Sequence, residues 1–104
     1  MTREVRVLGR AERDLLEISA WLVREAPHAR ERILDALLAS IEQLGSMATP
    51  GIVPHDEVLR ARGYRLIIVR KWLVFFKVRG RRVTVYRVLH GKRDWLPLVR
   101  RARR

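Results

Sequence analysis

The sequence predicts an α+β fold in which a hairpin of two helices packs on a mainly antiparallel, strongly basic sheet. Three short apolar runs in the second half of the chain are rich in Val, Ile, Phe, Tyr and Trp, which favours three consecutive strands. Two amphipathic segments with helical spacing precede these runs. A length of 104 residues fits one domain, over residues 1–104, with a single core.

A short strand over Glu4–Leu8 is the first predicted element, because apolar and charged residues alternate there. Gly9 is expected to break this strand, and a helix follows over Ala11–Glu25. The core stripe of this helix has the spacing i, i+4, i+7 and i+11 and comprises Ala11, Leu15, Ile18 and Leu22. Acidic residues gather in its N-terminal half, where they complement the helix dipole.

The second predicted helix spans His28–Leu44 and lies antiparallel to the first, because only Ala26 and Pro27 separate the two. Pro27 suits the first position of a helix, and Gly45 suits the position that follows a helix C-terminus. The core stripe of the second helix comprises Ile33, Leu37, Ser40, Ile41 and Leu44.

Both helices carry apolar residues beside their core stripes. Leu16 and Val23 form a second strip on the first helix, and Leu34 and Leu38 widen the apolar face of the second. Such residues either pack between the two helices or bind a partner helix or a second copy of the chain. The sequence pattern leaves both uses open.

A long connection over residues 46–63, with Pro50, Gly51 and Pro54, leads from the helices to the strands. A connection of this length in a small domain is often functional or mobile. His55 lies there beside two acidic residues, but the histidines of this chain are too isolated from other ligands to form a metal site. We therefore predict a solvated histidine, with no metal and no cofactor.

The three strands predicted after this connection form an antiparallel meander over Tyr64–Val69, Trp72–Val78 and Val83–Leu89. Arg70 and Lys71 separate the first two strands. Gly80, between Arg79 and Arg81, can supply the positive φ of a tight hairpin turn. Trp95–Arg104 is predicted to form a short helix and a basic tail, with Asp94 as the N-cap of the helix.

All of the excess positive charge lies in the second half of the chain. Residues 1–52 carry seven arginines and eight acidic residues, whereas residues 53–104 carry sixteen basic and three acidic residues, and the formal net charge is +12. Such a field attracts nucleic acid or a strongly acidic protein. A solvated basic face without a partner is the alternative.

Composition excludes several classes of protein and of site. The chain has no cysteine, which excludes disulfides, thiolate metal sites and cysteine nucleophiles. The N-terminal residues contain no long apolar segment, so we predict neither a signal peptide nor a membrane span. A cytoplasmic location is the corresponding expectation.

Several sequence patterns occur together along this order of elements. The first helix contains A-x-x-D-L-x-x-I at residues 11–18, and Pro27 lies at the joint between the helices. G-Y-R at residues 63–65 starts the second strand, and the hydrophobic run Trp72–Val78 is the third. The fourth strand ends in R-V-L-H-x-x-R-D at residues 87–94. In these patterns the chain resembles the RelE/ParE toxins of bacterial type II toxin–antitoxin systems.

This resemblance implies a growth-inhibiting toxin that is made with a small acidic antitoxin, in a module that stabilises a plasmid or chromosome. In this family the antitoxin typically wraps the toxin with a helix and an extended segment, and a heterotetramer is among the assemblies implied. The apolar strips, the basic sheet and the C-terminal segment supply the expected partner-binding residues, which are Leu16, Val23, Leu34, Leu38, Arg65, Arg70, Arg87, Arg93 and Trp95.

The family has two arms with different targets. The R-V-L-H-x-x-R-D ending resembles the ParE-like arm, which implies inhibition of DNA gyrase without a catalytic residue. The other arm cleaves messenger RNA on the ribosome without a metal ion; for that alternative we expect His90 as general acid or base, with Arg65, Arg87 and Arg93 binding phosphate. A basic nucleic-acid-binding module and an inactive toxin homologue are further alternatives.

Overall fold

The computed structural model describes residues 2–48 and 50–102, and a four-stranded mixed sheet lies at its centre. The sheet has the order β1-β4-β3-β2 and comprises β1 (Glu4–Val7), β2 (Tyr64–Val69), β3 (Trp72–Arg79) and β4 (Arg82–His90). β1 pairs with β4 in parallel, and the other two pairings are antiparallel. The predicted α+β fold with a mainly antiparallel sheet is confirmed.

Two helices, α1 (Gly9–Glu25) and α2 (Arg30–Gln43), cover one face of this sheet. A 3₁₀ turn over Pro27–Ala29 joins them. Leu22 and Leu37 are fully buried against the sheet in the main core. The first strand ends before Gly9, as predicted, and this glycine is already the first residue of α1. None of the helices within residues 2–48 and 50–102 has the length and apolar character of a membrane span.

Gly45 has a different role from the predicted one. It lies inside a 3₁₀ turn over Leu44–Ser46, and it is not among the glycines with positive φ. A Cβ atom on Gly45 would lie 2.5 Å from the carbonyl oxygen of Arg3, whose own N–H donates to the Gly45 carbonyl at 2.6 Å. Glycine is therefore required here because the start of β1 passes directly over it. The predicted positive φ of the hairpin glycine is confirmed, with φ of 58° at Gly80.

The opposite face of the sheet has a second, smaller core beneath two short helices, α3 (Glu57–Ala61) and α4 (Leu96–Arg100). The buried residues of this core are Leu59, Tyr64, Leu66, Phe75, Leu89 and Val99. The predicted connection over residues 46–63 therefore contains a helix, whose N-cap Asp56 accepts a hydrogen bond from the Leu59 N–H at 3.1 Å. Trp95, rather than the predicted Asp94, is the N-cap of α4, and it makes no side-chain cap.

An ion pair joins the two short helices. Arg100 donates from Nη2 to the Asp56 carboxylate at 2.5 Å, and Arg62 donates to the Arg100 carbonyl. The hydrogen bond from Arg100 is the main reason that the pKa of Asp56 is lowered. The C-terminal segment is therefore part of the folded structure up to residue 102, and only Arg103 and Arg104 of the predicted basic tail lie outside the described residues.

We predict that Val99→Ala destabilises the protein by about 1.5–3 kcal/mol, because Val99 is fully buried in the second core. Val23→Ala is the matched control, since Val23 is 55% exposed, and its effect should stay within about 0.5 kcal/mol. Urea unfolding measures both free energies. Equal stabilities of the two variants would show that α4 contributes no packing energy.

Candidate functional site

A β-bulge in β4 determines which side chains face α1. Phe75 pairs with Arg87 and Phe76 pairs with Val85, so Tyr86 is the extra residue of the bulge. The adjacent phenylalanines are both fully buried, one in each core. A bulge re-aims the side chains that follow it, because it inserts one residue into the alternation of the strand. Val85 and Val88 consequently both lie in the main core although they are three residues apart, and Arg87 between them donates to Asp14 of α1.

Arg87 forms a buried ion pair with Asp14 of α1. Its Nε donates to Asp14 Oδ2 at 2.7 Å and its Nη2 donates to Oδ1 at 3.1 Å. The two residues are only 5% and 2% exposed. Arg10 adds a second guanidinium at 3.1 Å from the same carboxylate. Two cations thus share one buried carboxylate.

The aspartate also replaces a missing strand. β1 ends at Val7, which pairs with Val85, so β4 continues without a described neighbour on that edge. There the Val88 N–H donates to Asp14 Oδ2 at 3.0 Å. A buried backbone N–H without a partner would be costly, and the carboxylate satisfies it. Asp14 therefore attaches α1 to the unpaired edge of β4.

A cleft of about 560 Å³ opens between α1 and the end of β4. We name it the tryptophan cleft, after Trp21 of α1 and Trp72 of β3, whose rings meet edge to face with centroids 6.2 Å apart. The ring centroid of His90 lies 5.5 Å from that of Trp72. The Nδ1 atom of His90 accepts a hydrogen bond from the Lys92 N–H at 3.0 Å. Arg93 lines the same cleft.

The residues predicted for RNA cleavage do not gather around His90. Arg65 pairs with Phe76 whereas His90 pairs with Trp72, four residues away along β3, which is roughly 13 Å. The Arg65 guanidinium instead donates to the carbonyl of Pro50 at 3.3 Å. Arg87 is buried in its ion pair with Asp14. Of the predicted phosphate-binding arginines, only Arg93 shares a cleft with the histidine.

The predicted apolar strips lie at helical spacing from a contact between α1 and α2. Ser19 of α1 accepts hydrogen bonds from Arg30 of α2 at 2.9 and 3.2 Å, which marks the facing sides of the two helices. Leu16 lies three residues before Ser19 and Val23 lies four residues after it, so both share its side of α1. On α2, Leu38 lies two turns after Arg30 and therefore on the same side as that arginine.

Three of these apolar residues remain largely exposed: Leu16 at 69%, Val23 at 55% and Leu38 at 52%. We name these three the hairpin surface. Leu34, the fourth residue of the predicted strips, packs against the main core and is half-buried. Packing against the main core therefore accounts for Leu34, and the other three residues are left in solvent.

A family of known proteins matches the chain over most of its length. The model of the family described as ParE toxin of type II toxin–antitoxin system, parDE, matches residues 5–95. The chain belongs to the ParE toxin family. No curated protein sequence matches it significantly.

One solved structure similar to this ParE-family chain is the chromosomal ParDE toxin–antitoxin system from P. aeruginosa, with a TM-score of 0.71 and 16% sequence identity. The match covers 88% of this chain and 98% of the solved chain. At this identity, the similarity shows a common fold.

Other predicted partner-binding residues lie apart from one another in this ParE fold. Arg70 is exposed at the turn between β2 and β3, where it adopts a φ of 55°. Trp95 is half-buried, with its ring 5.1 Å from Phe75 in the second core, so it serves the fold. No group of three or more His, Cys, Asp or Glu side chains that could hold a metal ion occurs within the described ranges.

Sequence reasoning gave no role to several residues that the structure makes central. Asp14 was part of the family pattern, but its partner Arg87 lies 73 residues away. Trp21 belongs to neither apolar strip of α1. Its place in the tryptophan cleft depends on its contact with Trp72 of β3. Lys77 is buried with its Nζ 4.5 and 4.8 Å from the ring centroids of Tyr64 and Tyr86. Burial raises the pKa of Tyr64 to about 12.

We predict that Asp14→Ala lowers the free energy of unfolding by about 3–5 kcal/mol, because it leaves the Arg87 charge buried without its main partner. Combining Asp14→Leu with Arg87→Met should cost less than the sum of the two single changes, since no buried charge remains. Urea unfolding of the four proteins in this double-mutant cycle measures the coupling.

Glu12→Ala serves as the control, because Glu12 is an exposed acidic residue of the same helix. Its effect should stay within about 0.5 kcal/mol. Additive effects of the Asp14 and Arg87 substitutions would contradict the energetic role of the pair.

Proposed function

We propose that this ParE-family chain is a cytoplasmic toxin that poisons DNA gyrase and is neutralised by a small acidic antitoxin. The family match over residues 5–95 is the observation that carries the proposal. The arrangement around His90 supports the gyrase target over the RNA-cleaving alternative of the related RelE toxins.

Metal-free RNA cleavage requires a base for the 2′-OH, an acid for the leaving oxygen and cations beside the phosphate, all within hydrogen-bond reach. His90 uses Nδ1 to accept the Lys92 N–H, and its ring packs on Trp72. Arg87 is held by Asp14, and Arg65 of β2 pairs with Phe76, four residues along β3 from the partner of His90. His90, Arg87 and Arg65 are thus engaged separately, in structural contacts, and Arg93 is the one predicted arginine that lines the cleft with His90.

The hairpin surface and the charge distribution support an acidic antitoxin with a helical segment. The hairpin surface presents three exposed apolar side chains on two neighbouring helices, Leu16, Val23 and Leu38. An amphipathic helix binds such a surface through its apolar face. The +12 net charge opposes compaction through self-repulsion, and an acidic partner relieves it. A complex therefore has both an apolar and an electrostatic driving force.

We predict that the purified chain inhibits supercoiling by DNA gyrase, and that His90→Asn inhibits it equally. Asparagine places an acceptor near the position of Nδ1, so the contact with the Lys92 N–H is kept. A supercoiling assay over a titration of each protein measures the inhibition, and thermal melting shows that both are folded. Absence of inhibition by folded native protein, together with His90-dependent cleavage of ribosome-bound mRNA, would replace gyrase with the RNA-cleaving alternative.

We further predict that Leu38→Glu weakens binding of the antitoxin encoded beside this chain by about tenfold or more, because it places a charge in an apolar interface. Val58→Glu is the matched control, since Val58 is also an exposed aliphatic residue but lies on α3, across the sheet. Isothermal titration calorimetry measures both affinities. Equal affinities of the two variants would remove the hairpin surface from the antitoxin interface.

A further inference from the structure

A second cleft, of about 640 Å³, lies between the start of α1, β4 and the C-terminal segment. We name it the arginine cleft, because Arg10, Arg13, Arg87 and Arg101 line it. The described residues that line it include no acidic side chain. The tryptophan cleft differs in this respect, since Asp14 and Glu17 are among its lining residues.

The positive charge of the arginine cleft is only partly neutralised. Arg10 lies 3.1 Å from Asp14 and 3.5 Å from Glu17, and Arg87 is bound to the same Asp14. The side chains of Arg13 and Arg101 form no ion pair or hydrogen bond with residues 2–48 or 50–102. Two guanidiniums from different elements therefore border one concavity without a carboxylate.

Gly9 lines this cleft without a side chain. It lies in the first turn of α1 with an ordinary helical conformation, since it is not among the glycines with positive φ. A Cβ atom on Gly9 would meet no heavy atom within 4 Å. Neither the backbone conformation nor the packing requires glycine here, and glycine is a poor helix former. A larger side chain at this position would instead occupy the space beside the arginines.

We infer that the arginine cleft binds a phosphodiester group of DNA. A guanidinium donates two parallel hydrogen bonds to a phosphate, and contacts of this kind position proteins on the DNA backbone. A phosphodiester has charged oxygens flanked by apolar sugar carbons, and the cleft has guanidiniums flanked by Leu8 and Leu98. This inference rests on the proposed function for the source of the phosphate, because gyrase acts on DNA.

The test uses the purified full-length chain and a short fluorescein-labelled DNA duplex, with fluorescence anisotropy measured over a range of salt concentrations. Gly9→Leu fills the cleft without changing the charge, and Arg13→Gln removes one cation. Both should weaken DNA binding by about tenfold, and Arg13→Gln should reduce the slope of log affinity against log salt by about 1. Thermal melting verifies that each variant is folded.

Arg32→Gln is the matched control, since it removes one exposed arginine from α2, away from the cleft. It should weaken DNA binding by less than about threefold. Native affinity of folded Gly9→Leu, or equal losses for Arg13→Gln and Arg32→Gln, would overturn the inference and assign DNA binding to diffuse charge. Loss of antitoxin binding by Gly9→Leu with unchanged DNA binding would overturn it as well, in favour of an acidic protein segment.

Failure of this inference is distinguishable from failure of the proposed function. A chain that inhibits gyrase while Gly9→Leu binds DNA normally contradicts only the arginine cleft. A chain that binds DNA through the cleft but leaves supercoiling unchanged contradicts only the gyrase target.

Discussion

The ion pair between Asp14 and Arg87 fixes the position of α1 relative to β4, and the two clefts lie on either side of it. Asp14 lines the tryptophan cleft and Arg87 lines the arginine cleft, so the buried pair stands between the two. It also compensates for the early end of β1, because the carboxylate accepts the Val88 N–H that a longer strand would have paired. A hydrophobic contact at the same place would leave that N–H unsatisfied. The chemistry of the carboxylate is thus required at this position.

The basic character of the sheet follows from its construction as a middle layer. Both faces are covered, so its buried residues are apolar on both sides, and its charges concentrate at turns, strand ends and edges. Lys77 and Arg87 are the buried exceptions. The π faces of Tyr64 and Tyr86 stabilise the Lys77 ammonium group inside the second core, and Asp14 pairs with Arg87. Charges placed at the periphery remain accessible to a polyanion. Their mutual repulsion is the reason that an acidic partner would increase stability as well as block function.

The sequence was sufficient to predict the elements whose residues carry a strong pattern. The strands and both long helices were predicted correctly because alternation and helical spacing persist over many residues. The bulge could not be predicted, since Phe75 and Phe76 are both apolar and fit either face. The short helix α3 was missed because it contributes a single fully buried side chain, Leu59, to a region rich in turn formers.

The candidate sites were less predictable than the fold, because they depend on contacts between distant parts of the chain. The exposed arginines and the buried Arg87 are chemically identical in sequence, and the contact with Asp14, 73 residues away, separates their roles. Leu34 and Leu38 are likewise neighbours on one strip, yet one packs inward and the other faces solvent. A periodic pattern gives the direction of a side chain around its helix. The pattern gives no information on whether a neighbouring element covers that side chain.

Helix α1 contributes residues to the hairpin surface and to both clefts. Its position is therefore relevant to how an antitoxin would neutralise the toxin under the proposed function. Leu16 and Val23 face outward, Trp21 lies in the tryptophan cleft, and Arg13 lies in the arginine cleft. A partner helix on the hairpin surface would therefore contact α1, which also lines both clefts. Because α1 is anchored to the sheet through Asp14 and the buried side chains of Ala11, Ile18 and Leu22, a partner has little freedom to distort it. Steric and electrostatic occlusion of the clefts is thus the mechanism that this architecture favours over a change of fold.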